Sequence, residues 1–228
     1  MSSEQIATER TDTAHHHWDK LWQVDEGRAD WLEPDPDVVA FAKDRSAAGD
    51  RRVLDLGCGV GRHALALAAI GFETVAMDAS PSGLDELRKA AAARSLSIDC
   101  RQAEMTTLPY EDESFDYVLS FNVIYHGDPT VVRRAIAEIA RVLKPGGHYQ
   151  GTMLSKRNRN FGLGREIAPD TFINDDESDK AHPHFYCDAA GLVGLFGSFE
   201  LLKLEDRVHR KPGSWHCLLY TSPSPRDA

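Results

Sequence analysis

The sequence lacks the features of several large protein classes. Its 228 residues carry a formal net charge of −10 without any basic stripe, so a nucleic-acid backbone, which is bound by clustered cations, is not an expected partner. The four cysteines, Cys58, Cys100, Cys187 and Cys217, have no paired spacing, which argues against a zinc site and a disulfide framework. No apolar stretch has the length of a signal core or a bilayer span. We therefore expect a reduced, soluble, cytoplasmic protein with no membrane partner.

What the sequence does contain, from residue 52 to residue 155, is an alternation of strand and helix patterns. The runs "RRVLDL", "ETVAMDA", "SIDCRQA", "SFDYVLSFNVI" and "HYQGTMLS" predict strands, and the segments between them have helical periodicity. This alternation predicts an α/β fold with a parallel sheet and helices on both faces. Residues 155–186 fit neither period, and a long irregular insertion after a strand is typically a functional lid or binding loop.

We predict a single domain over residues 1–216, with an N-terminal cap or lid (1–34) and an acceptor-side insertion (155–186). The remainder, 217–228, is interpreted as a non-native tail, because "CLLYTSPSPRD" resembles the translation of a sequencing-library adapter. The alternative is a genuine Ser/Pro-rich end. The composition of "CLLYT" still suits a strand. A foreign last strand would leave neighbouring ladder groups poorly covered, so we expect poor solubility of this sequence.

A glycine turn follows the first strand. Gly57, Gly59 and Gly61 give the pattern G-x-G-x-G, with Arg62 where a dinucleotide fingerprint needs a further glycine. The acid Asp55 precedes this turn, and its charge would repel a pyrophosphate at the helix N-terminus. It would attract the ammonium and sulfonium groups of S-adenosylmethionine (SAM), which has no phosphate.

Two further acids follow the second and third strands. Asp78 ends "TVAMD", where a carboxylate can accept hydrogen bonds from ribose hydroxyls. Glu104 follows "CRQA" and could accept from the adenine amino group, with Met105 as an apolar contact to the ring. Because open α/β sheets bind ligands at the carboxyl ends of their strands, these acids are expected to meet at one cleft. Asp78 as a neighbour of a helix cap and Glu104 as a solvated loop acid are the structural alternatives.

The motifs "VLDLGCGVGRH", "VAMDAS", "SFDYVLSFNVIYH" and "RVLKPGG" together resemble the class I SAM-dependent methyltransferases over about residues 35–210. The resemblance implies a doubly wound, mostly parallel, seven-stranded sheet whose last strand is antiparallel. It also implies SAM as cofactor, S-adenosylhomocysteine (SAH) as product, and in-line methyl transfer. We expect a small-molecule acceptor, because the chain is acidic and shows no appended recognition domain. The residues that we predict to bind the cofactor are Asp55, Gly57, Cys58, Gly59, Gly61, Asp78, Ala79, Glu104, Met105 and Phe121.

The acceptor is expected beside Asn122, Tyr125 and His126, under the insertion that carries His182 and His184. No catalytic residue is assigned. His126 is a candidate general base, since imidazole titrates near neutral pH, but it could equally orient the following turn. Tyr125 is a weaker candidate, better suited to a pocket wall. No metal site is predicted, because His182 and His184 have no third ligand nearby in the sequence.

Three alternatives stay open. A non-catalytic SAM-binding sensor or partner subunit would keep the same acids, whereas a NAD-dependent oxidoreductase is disfavoured by Asp55 and Arg62. An RNA or protein acceptor is also open. Near the N-terminus, Trp18, Trp22 and Trp31 either cover the cofactor or pack the first helix on the sheet, and the second interpretation is favoured because buried tryptophan contributes a large apolar area. The oligomeric state is not predicted.

Overall fold

The computed structural model of the chain describes residues 10–174, 180–209 and 213–223. Its helices are α1 Ala14–Trp22, α2 Asp25–Arg28, a short 3-10 turn Ala29–Trp31, α3 Pro36–Ala48, α4 Arg62–Ile70, α5 Pro81–Ala93, α6 Pro129–Val142 and α7 Ala189–Leu195. Its strands are β1 Arg52–Leu56, β2 Glu73–Asp78, β3 Ile98–Gln102, β4 Phe115–Ser120, β5 Leu143–Ser155, β6 Arg165–Ala168, β7 Thr171–Ile173, β8 His184–Cys187, β9 Phe199–Val208 and β10 Trp215–Pro223.

Seven of these strands form the central sheet, in the order β3-β2-β1-β4-β5-β10-β9. The neighbours from β3 to β5 are parallel, and β10 is antiparallel to both β5 and β9. The strand order reverses between β1 and β4, and ligands of open α/β sheets bind at such a switch point. The predicted fold class, including the antiparallel last strand, is confirmed.

Three of the long helices begin with the same local signal. An oxygen of Asp35, Ser80 or Asp128 accepts hydrogen bonds from backbone N–H groups in the first turn, and a proline follows each of these caps. Such a cap satisfies donors that have no partner within the helix, and proline at the first position lacks the N–H that would need one. Ser80 is thus the N-cap of α5, two residues after Asp78.

The strand β1 is buried on both faces, as a central parallel strand should be. Leu54 and Leu56 pack towards α6 with Ile136, whereas Val53 packs on the opposite face with Val38 of α3. Because side chains alternate along a strand, Asp55 points to the same face as Val53. This alternation determines where the first acid of the glycine motif lies.

The insertion contains regular structure, so the prediction of an irregular segment over 155–186 was wrong in part. The strands β6 and β7 form an antiparallel pair, and β8 pairs with β7 and, in parallel, with the last residues of β5. Strands of three or four residues are too short to show a hydrophobic period, which explains the error. The "KPGG" residues, 144–147, lie within the irregular start of β5.

The strand β10 includes residues 217–223 of the segment interpreted as foreign. It lies between β5 and β9, with Leu218 and Leu219 buried. The rest of that segment, 224–228, lies outside the described residues. The strand-like composition of "CLLYT" therefore coincides with an inserted, buried position in the sheet.

Candidate functional site

A cleft lies at the carboxyl ends of β1, β2 and β4, at the switch point of the sheet. It encloses about 950 Å³ of space free of protein atoms, open solvent included. The predicted cofactor residues in its wall are Gly57, Cys58, Gly59, Asp78, Ala79, Glu104, Met105 and Phe121. The described structure thus brings eight of the ten together around one cavity.

The glycine turn forms the floor of this cleft. The carbonyl of Met77, in β2, accepts hydrogen bonds from the backbone N–H groups of Gly57 (2.7 Å) and Cys58 (3.0 Å). Gly57 and Gly59 have φ angles of +70° and +52°, a region that favours glycine. The turn is therefore held against the neighbouring strand, with its backbone open to a ligand.

Asp78 connects the turn to the next helix and also faces the cleft. One carboxylate oxygen accepts from Gly59 N (2.7 Å) and the other from Ser80 N (2.8 Å). Burial raises the pKa of Asp78, whereas these two N–H groups favour its charged form. A carboxylate oxygen can accept more than one hydrogen bond, so Asp78 can also receive the hydroxyls of a ligand.

The structure places Asp55 beneath the floor of the cleft, outside its wall. Only 2% of its surface is exposed. Burial raises its pKa to about 7, although the positive charge of Arg62 opposes the shift. The charge of Asp55 would therefore act on a cationic group in the cleft across the glycine turn, without the direct contact that the sequence suggested. Gly61 is likewise outside the wall, where it caps α4 with a φ of +87°.

The third acid, Glu104, forms an ion pair with Arg10. Glu104 lines the cleft, and its carboxylate lies 2.8 Å from Nη2 of Arg10, which also pairs with Asp12. The Glu104 side chain is 46% exposed, so its ion pair is screened by water. Met105, on the same rim, packs partly against the core.

An aromatic wall faces the glycine turn. From the sequence, its tryptophans were expected either to cover the cofactor or to pack the first helix on the sheet. The rings of Trp18 and Trp22 are stacked 5.1 Å apart, and Trp31 meets both edge-on. All three line the cleft. Trp22 is also buried against Gly59, so both interpretations, covering the cleft and packing on the sheet, hold in part.

The helix α1, which carries two of these rings, is anchored to the start of α5. One oxygen of Asp19 accepts from the Ser80 hydroxyl (2.7 Å) and from Ser82 N (2.9 Å). Desolvation raises the pKa of Asp19, but the hydrogen bonds from Ser82 and Ser80 outweigh it and lower the pKa overall. An ionised Asp19 at the N-terminus of α5 is also favoured by the helix dipole.

Arg62 is a cleft residue that sequence reasoning missed. It was considered there only as a departure from the dinucleotide pattern. Its guanidinium lies over the rings of Trp31 (5.1 Å) and Phe121 (5.7 Å), and the residue is 6% exposed. Such placement holds a cation at the cleft wall by its attraction to aromatic faces. The signal in the sequence was a cation directly after a glycine turn.

On the acceptor side, Asn122 and His126 line the cleft, whereas Tyr125 is buried behind it. Asn122 has a φ of +66° and is held by Thr152, whose hydroxyl accepts from Asn122 N (2.7 Å) and donates to its side-chain oxygen (3.0 Å). The same oxygen lies 3.1 Å from Nδ1 of His216. Asn122 is therefore a rigid part of the wall.

The structure brings the three predicted histidines of this side into one cluster. Nδ1 of His126 lies 3.0 Å from Nε2 of His182, a residue 56 positions away. His184 lies beside them, with ring centroids 4.4 Å from His182 and 4.7 Å from His126. Desolvation lowers the pKa of His126 and His184 well below the usual value. Both are then neutral at pH 7, which leaves His126 able to accept a proton but weakly basic.

The fold and the cleft define a class of protein: a Rossmann-like domain with the architecture of the class I SAM-dependent methyltransferases. The family model described as "Methyltransferase domain" matches residues 53–147, so this part of the chain is similar to that family. This match agrees with the family expected from the sequence.

Two individual relatives are also named as methyltransferases. The chain is 37% identical over 139 residues to an uncharacterised methyltransferase of Mycobacterium tuberculosis, covering 61% of this chain and 49% of that protein. It is 31% identical over 153 residues to a ubiquinone biosynthesis O-methyltransferase of Cereibacter sphaeroides, covering 65% and 60%. The chain thus spans about half the length of the curated relatives it matches.

A solved structure shares the fold. The N-methyltransferase NodS of Bradyrhizobium japonicum, in complex with SAH, superposes with a TM-score of 0.69 at 15% identity, over 93% of this chain and 99% of that one. In the part of the chain that the structure describes, no helix has both the length and the apolar character needed to cross a membrane.

Proposed function

We propose that this protein transfers the methyl group of SAM to a nucleophilic atom of a small-molecule acceptor. The observation that carries the proposal is the cleft itself, in which a glycine turn, Asp78 and an aromatic wall meet at the switch point of a methyltransferase-type sheet. In the transfer, the acceptor atom attacks the methyl carbon in line. The sulfur–carbon bond breaks, and its electron pair stays on sulfur to give SAH.

The roles proposed for the cofactor side follow from charge and position. Asp78 accepts from the ribose hydroxyls, and Glu104 and Met105 lie where they would meet the adenine. The glycine turn, with Asp55 beneath it, provides the negative side for the ammonium, and Arg62 the positive side for the carboxylate. The tryptophan faces suit the sulfonium, because aromatic rings attract cations. Alignment of the two reactants supplies most of the rate enhancement.

The acceptor side is proposed to be the wall formed by Asn122 and His126, with Tyr125, His182 and His184 behind it. Two observations support a small molecule: the cleft is walled by α1 and lined largely by apolar and aromatic groups, as small-molecule sites are, and the net charge is −10. The domain limits stay as predicted, with 1–34 as cap and 155–186 as acceptor-side insertion. The four free cysteines support a cytoplasmic location.

The test begins with calorimetric titration of SAH into the parent protein, the Asp78→Ala variant and a matched control, Asp85→Asn. Asp85 lies exposed on α5 and pairs with Arg88. We expect binding by the parent and the control, and at least tenfold weaker binding by Asp78→Ala, which corresponds to about 1.4 kcal/mol. Equal affinities in all three folded proteins would contradict the proposed cofactor site.

Turnover is then measured with SAM that carries an isotopically labelled methyl group and a panel of small phenols, amines and thiols. Labelled acceptor, lost or strongly reduced in Asp78→Ala, supports a methyltransferase. SAH binding without turnover of any panel member would favour the non-catalytic SAM-binding module, because a fold does not by itself establish an activity.

A further inference from the structure

Three buried imidazoles meet beside the cleft, and the proposed methyl transfer does not explain their arrangement. His126, His182 and His184 each offer one ring nitrogen, and these nitrogens lie within 4.8 Å of one another. The three residues come from two segments, the loop after β4 and the residues that lead into β8. All are buried, and His184 is fully so.

The hydrogen bonds direct specific nitrogens towards a common centre. In His126, Nε2 lies 3.2 Å from the carbonyl of Asn122, so this nitrogen carries the proton and Nδ1 is left as an acceptor. In His184, Nδ1 donates to the carbonyl of His182 (2.7 Å), which leaves Nε2 as the acceptor. Bonds of this kind, from the second ring nitrogen to a backbone carbonyl, orient metal-ligating histidines.

The nitrogens that face the common centre differ in their present contacts. Nε2 of His184 is buried without a hydrogen-bond partner in this part of the chain, and an unsatisfied buried acceptor is costly. Nε2 of His182 lies 3.0 Å from Nδ1 of His126 and donates a hydrogen bond to it. A metal ion bound by both nitrogens would displace this proton, as metal binding to histidine requires. Lys180 and the ring of His17 also face the cluster.

We propose that His126, His182 and His184 bind one divalent transition-metal ion of the zinc class. Neutral imidazole is a common ligand of zinc, copper, iron and nickel. Three protein ligands with a fourth position open is the arrangement of catalytic zinc sites, whereas structural sites are closed by four. Since His126 lines the cleft, the metal site would border the acceptor side.

The role of the ion rests on the proposed function. An acceptor hydroxyl or thiol bound at the open position would lose its proton to water more readily, because the ion stabilises the resulting anion. That anion attacks the methyl carbon of SAM, the new bond to carbon forms as the sulfur–carbon bond breaks, and the product leaves the ion as a neutral ether or thioether.

The first experiment is binding of Zn²⁺ and Co²⁺ to the metal-stripped parent protein, with X-ray absorption of the bound zinc. We expect one ion per chain at micromolar or lower Kd, and three nitrogen neighbours at about 2.0–2.1 Å with no sulfur neighbour. Sulfur neighbours would overturn the proposal, because they would place the ion on the cysteines. No binding at micromolar concentration would overturn it as well.

Variants locate the ion. His184→Ala and His182→Ala should each weaken metal binding by at least tenfold. Two control variants, His16→Ala and His148→Gln, should bind the metal like the parent. His16 is exposed in the N-terminal histidine run, and His148 packs against Phe41. Loss in His16→Ala alone would place the ion on the N-terminal run and refute the cluster. Circular dichroism and SAH titration of each variant keep the outcomes separate. Metal binding that persists without SAH binding or turnover would overturn the proposed function and leave the metal site standing.

Discussion

At the scale of single residues, the acid of the glycine motif illustrates how burial changes a charge. Asp55 was expected to meet a cationic cofactor directly, but β1 directs it into the interior, where its pKa rises to about 7. The unfolded pKa of an aspartate is about 3.9. The folded state therefore holds the Asp55 proton more tightly, and this contribution to stability is present at low pH and is lost as the pH rises from about 4 to about 7.

The Asp55→Asn variant isolates this contribution, because its amide does not titrate. We expect the free energy of unfolding of the parent, relative to the variant, to fall by 1 kcal/mol or more between pH 5 and pH 8. Urea unfolding at the two pH values measures the difference. The buried histidines have lowered pKa values and act in the opposite direction, but they are common to both proteins and cancel. A difference that is the same at both pH values would contradict the raised pKa.

At the scale of elements, α4 is bounded by two glycines with left-handed backbone, Gly61 at its start and Gly71 at its end. A Cβ at Gly61 would overlap the side chain of Leu87 in α5, whereas a Cβ at Gly71 would have no neighbour within 4 Å among the described residues. The first glycine is therefore required by backbone and packing together, and the second by backbone alone.

The substitution Gly61→Ala should lower the free energy of unfolding by about 2–4 kcal/mol, from backbone strain and overpacking against Leu87. Gly71→Ala should cost only about 1–2 kcal/mol, from its φ of +111°. Chemical unfolding of the two variants beside the parent makes the comparison. Equal losses would show that α5 moves away from α4 freely and that the close packing is not rigid.

Elements with local sequence signals could be predicted, whereas contacts between distant segments could not. The strands, the capped helices and the cleft position of Asp78 followed from local signals: apolar runs, Ser80 before Pro81, and acids at strand ends. The wall formed by Trp18 and Trp31 and the meeting of His126 with His182 did not, because they depend on how distant segments fold over the sheet. The spacing of residues along the chain does not indicate the contact between His126 and His182, which are 56 positions apart.

At the scale of the whole molecule, the sheet is completed by β10, whose residues from Cys217 onwards read as foreign in the sequence. Leu219 of this strand is fully buried and lies between Gly151 of β5 and Leu204 of β9. The substitution Leu219→Ala should therefore lower the free energy of unfolding by about 2–5 kcal/mol, as for other buried leucines. Leu202→Ala, on β9 and 48% exposed, should cost less than about 0.5 kcal/mol.

Thermal unfolding of the two variants checks this prediction. A clear fall in Tm for Leu219→Ala alone means that the tail serves as the central antiparallel strand. Equal, small shifts for both would mean that β10 is not stably inserted, in agreement with the interpretation of residues 217–227 as foreign and with the poor solubility expected from it.

Three of the four tryptophans of this chain stand in the wall of a single cavity, and the fourth, Trp215, lies under the guanidinium of Arg157. The intrinsic emission of the protein is therefore dominated by one location. A nucleoside entering the cleft would lie against those indoles and quench them. The molecule thus carries its own optical reporter of occupancy, with no label needed to follow how fast a ligand arrives or leaves.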